Sequence, residues 1–317
     1  MNIVKKILSQ AILWLITFSL LVVFMLLPRD VEYESGEAGN FIDAHYVYKI
    51  DSHIKQIKEF YHYITHNPGL GKYRDNITNI EHITDKVLKS MWIIIPALFL
   101  SLIVGIAKGI FDYWSKDKKA SIIGKGSTWL FLSIPDLFII ISLQLSIIAL
   151  YEMGWIPHIK IYGSDSIDNY IICILFLSIY PFFYVANITY TSFKEEESND
   201  YIRTAKSKGI HTFKILYIHI LKNCMPTILS HTNTVILYIL SNLFIVERLT
   251  DFRGAAFYFW ESVRYSPMFA VGQQFAFFPV DTIGFIFYFT IIIFFANTIS
   301  NIVTGWTSPN RKADLEK

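Results

Sequence analysis

Apolar residues along this chain gather into long blocks separated by polar stretches, with no sustained two-residue alternation. Six blocks approach or exceed the roughly 20 residues that an α-helix needs to cross a bilayer core. They are Ile7–Leu27, Val87–Ile110, Ser127–Leu150, Tyr170–Thr191, Thr227–Val246 and Thr282–Trp306. The pattern predicts an all-α integral membrane protein with six transmembrane helices. The first block follows Lys5 and Lys6 and shows no small-residue cleavage site, so it reads as an uncleaved anchor. The cluster Phe275–Phe278 blurs the start of the last block and reads as a short interfacial element. The expected organisation is a tail and first helix at 1–27, an outer segment at 28–86, a membrane core at 87–306 and an inner tail at 307–317.

Two polar segments stand out. Residues 28–86 begin with a polar stretch, Arg29–Asn40, that reads as irregular. Then Ile50, Ile54, Ile57, Tyr61 and Ile64 recur at helical spacing, with Lys55, Lys58 and Glu59 turned away from that stripe. Asn67-Pro68-Gly69 stops the helix. Such a helix would lie on the outer membrane face or cap the bundle. His62 and His66 fall four residues apart on it. Without a further ligand placed beside them they read as a solvated face, not a metal site.

The second segment, 192–226, reads helix, glycine joint, helix. Glu195–Asp200 supplies negative charge for a helix N-terminus, Tyr201–Lys208 continues it, and Gly209 caps it. Phe213–Leu221 is a second amphipathic stretch, and Pro226 falls at the first turn of the fifth apolar block. A rigid pair of short helices between two spans suits the docking of a soluble partner. An ordinary basic loop has the same composition.

Composition sharpens this picture. Of 317 residues, 53% are hydrophobic and 17% charged, with mean hydropathy +0.40. An aromatic content of 16% excludes disorder, and a net charge of +2 argues against a nucleic-acid partner. Two cysteines, Cys173 and Cys224, exclude a disulfide scaffold. The charge is sorted by side. With the N-terminus inside, 16 of the 28 basic residues fall in short inner segments, leaving them at +8 and the outer segments at −5. The basic residues decide orientation, so both termini are expected in the cytoplasm. Asp136 is the ionisable residue lying well inside a block, about nine residues from its start. An intramembrane charge usually faces a cavity or a partner, so Pro135 and Asp136 are candidates for a pathway, against a neutral Asp packed between spans. Glu247, at the outer end of the fifth block, is a candidate gate or a surface charge beside Arg248. The chain contains neither a G-x-x-x-x-G-K-[ST] loop nor an H-E-x-x-H pair, so a polytopic membrane enzyme lacks a catalytic motif here.

The run Asp200-Tyr201-Ile202-Arg203-Thr204-Ala205-Lys206-Ser207-Lys208-Gly209 resembles the cytoplasmic motif of ABC importer permeases of the dipeptide, oligopeptide and nickel branch, B-type subunit. His219-Ile220-Leu221-Lys222-Asn223 resembles the family's following His-x-x-basic-Asn run. In order along the chain, Gly69-Leu70-Gly71, Leu132-Ser133-Ile134-Pro135, Met153-Gly154-Trp155-Ile156-Pro157, Val246-Glu247 and Pro309-Asn310-Arg311 also resemble family stretches. Arg253-Gly254-Ala255-Ala256 stands where the family has Pro-Gly-x-Gly, so that outer turn is expected to differ.

The resemblance implies a type I importer permease fold and no enzymatic activity in this chain. It also implies a second permease subunit of different sequence, two cytoplasmic ATPases that use ATP, and an external substrate-binding protein. No cofactor is implied for this chain. Asp200, Tyr201, Arg203, Thr204, Ala205, Lys206, Lys208 and Gly209 would form the coupling helix. Ala205 and Gly209 would allow close approach of the ATPase, and Arg203, Lys206 and Lys208 would pair with its acidic groups. Peptides are the implied substrate in a bacterial cell membrane. Nickel or a metal chelate is the alternative, with five histidines in the outer segment (His45, His53, His62, His66, His82) keeping it open.

Overall fold

The computed structural model describes residues 3–28, 31–35, 41–74, 76–263 and 279–307. Twelve helices and two small hairpins appear among them. They are α1 Ile3–Met25, β1 Val31–Ser35, β2 Phe41–Tyr46, α2 Ile50–His66, β3 Lys72–Arg74, β4 Ile77–Thr78, α3 Asn79–Trp114, α4 Ser127–Ser133, α5 Asp136–Glu152, α6 Ile167–Glu196, α7 Asp200–Ser207, α8 Thr212–Lys214, α9 Leu221–Ser230, α10 Thr232–Leu249, α11 Ala255–Val263 and α12 Pro279–Thr307. Four helices contain stretches long and apolar enough to cross a membrane: Ile7–Met25, Asn79–Trp114, Ile167–Glu196 and Pro279–Ile302. Two bent pairs bring the number to six: Lys119–Ser133 with Asp136–Glu152, and Ile215–Ser230 with Thr232–Leu249.

The bends have local causes. The third apolar block is broken by 109°. Ile134 precedes a proline, where the Cδ group disfavours helical backbone, and it is extended at φ −96°, ψ 135°. Helix α4 therefore ends at Ser133, and α5 starts after Pro135. The fifth block bends by 49° at His231. Pro226 does not begin that block. It lies inside α9, which continues from a π-helical stretch, Ile215–Ile220, and α8. Phe213–Leu221 thus leads helically into the fifth block and is no separate element.

The chain divides into two compact units. Among the described residues, one comprises 91–252 with the helix ends at 3–7 and 292–307. Its centre is α6, which packs against α4, α9 and α10. Phe176, Leu177, Ala186 and Phe193 are almost fully buried on it. Helix α3 meets α6 through Gly105 and Gly109. A Cβ on Gly105 would lie 2.8 Å from Val185 Cβ, and one on Gly109 would lie 2.5 Å from Thr189 Cβ. Small residues four apart let backbones approach where lipid gives helices no hydrophobic reason to associate.

The other unit comprises residues 8–90 and 253–291. The start of segment 28–86 is not irregular over Val31–Ser35. β1 and β2 pair antiparallel, with Glu32 opposite His45 and Glu34 opposite Asp43. Alternation of apolar and polar residues in Val31–Ser35 and Phe41–Tyr46, separated by Gly36-Glu37-Ala38-Gly39-Asn40, supplies the strand pattern. Helix α2 forms over Ile50–His66 with Asn67 as its cap, but Ile50, Ile54 and Tyr61 of the expected stripe are exposed. His53 is buried, with Nε2 3.0 Å from the Val23 carbonyl of α1 and Nδ1 3.1 Å from the Tyr48 hydroxyl. Beyond Val246-Glu247, helix α11 begins at Ala255, whose N–H donates to Ser90 Oγ at 2.7 Å. The cluster Phe275–Phe278 and the stretch Pro309-Asn310-Arg311 lie outside the described residues.

Candidate functional site

Helix α6 ends at Glu196, a turn covers 197–199, and α7 follows. Asp200 places a carboxylate in the first turn of α7, where it meets the positive end of the helix dipole. At the other end Gly209 has φ +70°, in the left-handed region that glycine occupies without steric cost. The Ile210 N–H then turns back to the Ala205 carbonyl at 3.2 Å, a Schellman closure. Gly154 closes α5 in the same way, with Trp155 N–H on Leu150 O at 3.0 Å.

Helix α7 has two faces. Ile202 (1% exposed) and Ala205 (7%) are buried within the chain. Asp200, Arg203, Thr204, Lys208 and Gly209 are exposed. Arg203 Nη1 lies 3.8 Å from Asp200 Oδ1, with both side chains largely in solvent. The small size of Ala205 lets α7 seat closely on its own chain. The side chain of Lys206 lies outside the described residues.

Tyr201 ties the site together. Its hydroxyl donates to Glu196 Oε1 at 2.6 Å. Asn223 of α9 donates from Nδ2 to the same Glu196 oxygen at 3.2 Å and to the Tyr201 oxygen at 3.1 Å. One three-residue knot thus joins the end of α6, the start of α7 and the start of α9. Burial, with the Glu196 carboxylate beside it, raises the Tyr201 hydroxyl above its ordinary value, so it stays a donor. Glu195 and Glu196 consequently do not begin a helix. They end α6, where negative charge opposes the dipole, and the Tyr201 and Asn223 donors stabilise Glu196 there.

Sequence reading missed the polar pairs behind this site. Lys108 Nζ bonds Asp112 Oδ1, Gly124 O at 3.0 Å and Thr128 Oγ1 at 3.0 Å. Asp112 and Thr128 are completely buried. Lys116 pairs with Glu197, and Lys125 bonds Asn187 of α6. Lys118 sits 3.0 Å above the Trp114 ring, a cation–π contact. The i,i+4 spacing of Lys108 and Asp112 was the available signal. Lys108, Lys116, Lys118 and Lys125 thus have partners within the chain, whereas Arg203 and Lys208 are exposed on α7.

The pathway candidates lie elsewhere in the same unit. Asp136 is not nine residues into a helix; it is the first residue of α5, after the break. Its Oδ1 accepts the Leu137 N–H at 2.9 Å. Pro135 is exposed and Asp136 half-buried. Glu247 lies near the end of α10 and is completely buried, so it is not a surface charge. His62 and His66 stack at 3.8 Å between ring centroids, and no third ligating side chain joins them among the described residues.

Comparison with known proteins places the chain. Residues 98–312 match the family described as binding-protein-dependent transport system inner membrane component. The glutathione transport system permease protein GsiC of Salmonella typhimurium (strain LT2) is 26% identical over 200 residues, covering 62% of this chain and 63% of the relative. GsiC of Escherichia coli (strain K12) is 25% identical over 205 residues, with the same coverage. The chain thus spans 63% of the length of these curated relatives. A chain of the inward-facing MetNI methionine ABC transporter superposes with a TM-score of 0.56 at 10% identity, over 71% of this chain and 96% of that one. That likeness supports the type I importer permease fold. The matched family spans the bent third block, the glycine-closed α7 and its knot to α9, and this chain belongs to the binding-protein-dependent transport system inner membrane components.

Proposed function

We propose that this protein is a permease subunit of an ATP-driven importer, multi-pass in a bacterial inner membrane with both termini in the cytoplasm. Its substrate class is peptides. The similarity to permeases named for glutathione, itself a tripeptide, supports that class. Segment 28–86 is outer and segment 192–226 inner, as the distribution of basic residues indicates. The pathway is shared with a second permease of different sequence, and an external binding protein delivers the substrate. Two cytoplasmic ATPases bind and hydrolyse ATP; this chain performs no covalent step and holds no cofactor.

The observation that carries this reading is the two-faced α7. Its inward face is fixed by Ile202, Ala205 and the Tyr201–Glu196–Asn223 knot. Its outward face offers Asp200, Arg203, Thr204 and Lys208 to the ATPase. A helix docked on a partner that changes shape transmits motion only if it is anchored at its other side. Here the anchors lead to the end of α6 and to α9, and so to the 49° bend before α10. Different contacts of α7 in the two ATPase states bias the permease between its conformations. Pro135 and Asp136 at the 109° break, and Glu247 near the end of α10, are the pathway and gate positions under this reading.

The test is co-purification. A tagged chain expressed with its operon partners should retain an ATP-hydrolysing subunit. The double variant Arg203→Glu, Lys208→Glu should lose it at unchanged membrane level. Equal ATPase recovery in the variant would overturn the docking role.

A further inference from the structure

Within the unit formed by residues 8–90 and 253–291, an open-sided cavity of about 510 Å³ lies between α1, α2, α3 and α12. Its walls include Phe18 and Val22 of α1, Phe60 and Ile64 of α2, Ile83 of α3 and Phe287 of α12. Its chemistry excludes bulk filling by water, which needs two to four polar partners per molecule. The side-chain hydroxyls on the wall are those of Ser19 and Tyr288, and the Tyr288 hydroxyl already bonds Thr84 Oγ1 at 2.8 Å.

The surroundings identify what fills it. α1 and α12 contain apolar stretches long enough to span a membrane. The flank of α1 is apolar and open, with Leu13 61% and Leu20 65% exposed. Val23 and Ile80 line the cavity yet are themselves 42% and 45% exposed, so it opens to the side where α1 meets the bilayer. α2 supplies a wall through Phe60 and Ile64, while Tyr61 beside them is 66% exposed. α12 comes close to α3 at Gly284, where a Cβ would lie 2.5 Å from Ile83 Cδ1.

We propose that this cavity is a lipid site, holding one acyl chain of a membrane phospholipid that enters beside α1 and is roofed by α2. The proposal rests on the membrane reading of α1 and α12 and is independent of the transport reading. The bound chain completes the apolar packing that fastens α2 to the spans, which covalent side chains alone leave open.

The test uses the assembled transporter in nanodiscs containing phosphatidylethanolamine with a diazirine at the acyl terminus. After photolysis, adducts are mapped by peptide mass spectrometry. Adducts are expected on Leu13 and Leu20 from surrounding lipid, and also on Ile83 and Phe60, although Ile83 is only 1% exposed. Ser19→Trp, which fills the cavity, should cut the Ile83 and Phe60 adducts at least tenfold and leave those on Leu13 and Leu20. Val22→Phe serves the same purpose where Ser19→Trp does not accumulate. Adducts confined to Leu13 and Leu20 in the wild type, or Ile83 adducts undiminished in a filled variant, would overturn the proposal. Binding-protein-dependent uptake has no bearing on either outcome.

Discussion

Segments 192–226 and 28–86 are both polar stretches joined to apolar helices, yet different forces hold them. Segment 192–226 is fastened by directed polar contacts. The Tyr201–Glu196–Asn223 knot and the Lys116–Glu197 pair fix it at defined angles. Segment 28–86 turns Phe60 and Ile64 of α2 toward an apolar cleft beside α1, α3 and α12, with the two bonds of His53 as its polar tie to α1 and Tyr48. Charge-assisted hydrogen bonds are short and geometrically specific, whereas apolar contact is non-directional. The first arrangement suits an element that must pass on a displacement without slipping. The second suits a cap that only has to stay put.

This contrast orders the expected effects of substitution. Ala205→Glu should be the most damaging, because it forces an unpaired carboxylate into a site only 7% exposed. A loss of about 3–5 kcal/mol is expected. The variant should be depleted from membranes on immunoblots, whereas Arg203→Glu on the exposed face should accumulate normally. Tyr201→Phe comes next. Losing the donor to Glu196 should cost about 1.5–3 kcal/mol locally, the range for a hydrogen bond to a charged group. Its diagnostic is a fall in substrate translocated per ATP hydrolysed in proteoliposomes, with ATPase docking retained; a proportional loss of both would make the knot merely structural. His53→Ala should cost about 1–2 kcal/mol of local stability from its two bonds. Faster hydrogen exchange confined to residues 41–66, with transport unchanged, is the expected outcome. Smallest of all is Lys55→Ala, which removes an exposed 3.8 Å pair with Glu59. It should change thermal unfolding by no more than the few tenths of a kcal/mol typical of such pairs.

How far each segment could be read from sequence follows the same division. Gly209 was legible, since a glycine after a helical run in a known motif calls for a left-handed cap, and φ +70° agrees. The helix over Ile50–His66 was legible because helical periodicity is local, but its inward face is that of His53 and Phe60, and Ile50, Ile54 and Tyr61 are exposed. The direction of Ala205 was not read from its small size, although Ile202 and Ala205, three apart, fall on one helical face. The weakened helix at Pro135 was visible, but a 109° break also needs Ile134 to turn extended and the neighbours to accept a new helix at Asp136. Glu196 was misplaced because its partner Asn223 is 27 residues away. Only folding brings such pairs together. The hairpin of β1 and β2 was overlooked because its alternating strands are five and six residues long and begin in a polar run.

The central claim is that the exposed face of α7 meets an ATPase. The most direct measurement is site-specific crosslinking in membranes containing the assembled transporter. Native Cys173 and Cys224 are buried, at 0% and 3% exposure, so a single surface cysteine reports its own position. Arg203→Cys should form a short-linker adduct containing the ATPase subunit, more strongly with ATP present or absent according to the docked state. Asp51→Cys in segment 28–86, proposed to lie outside, should form none. ATPase adducts at Asp51→Cys, or none at Arg203→Cys in a complex that still hydrolyses ATP, would contradict the account.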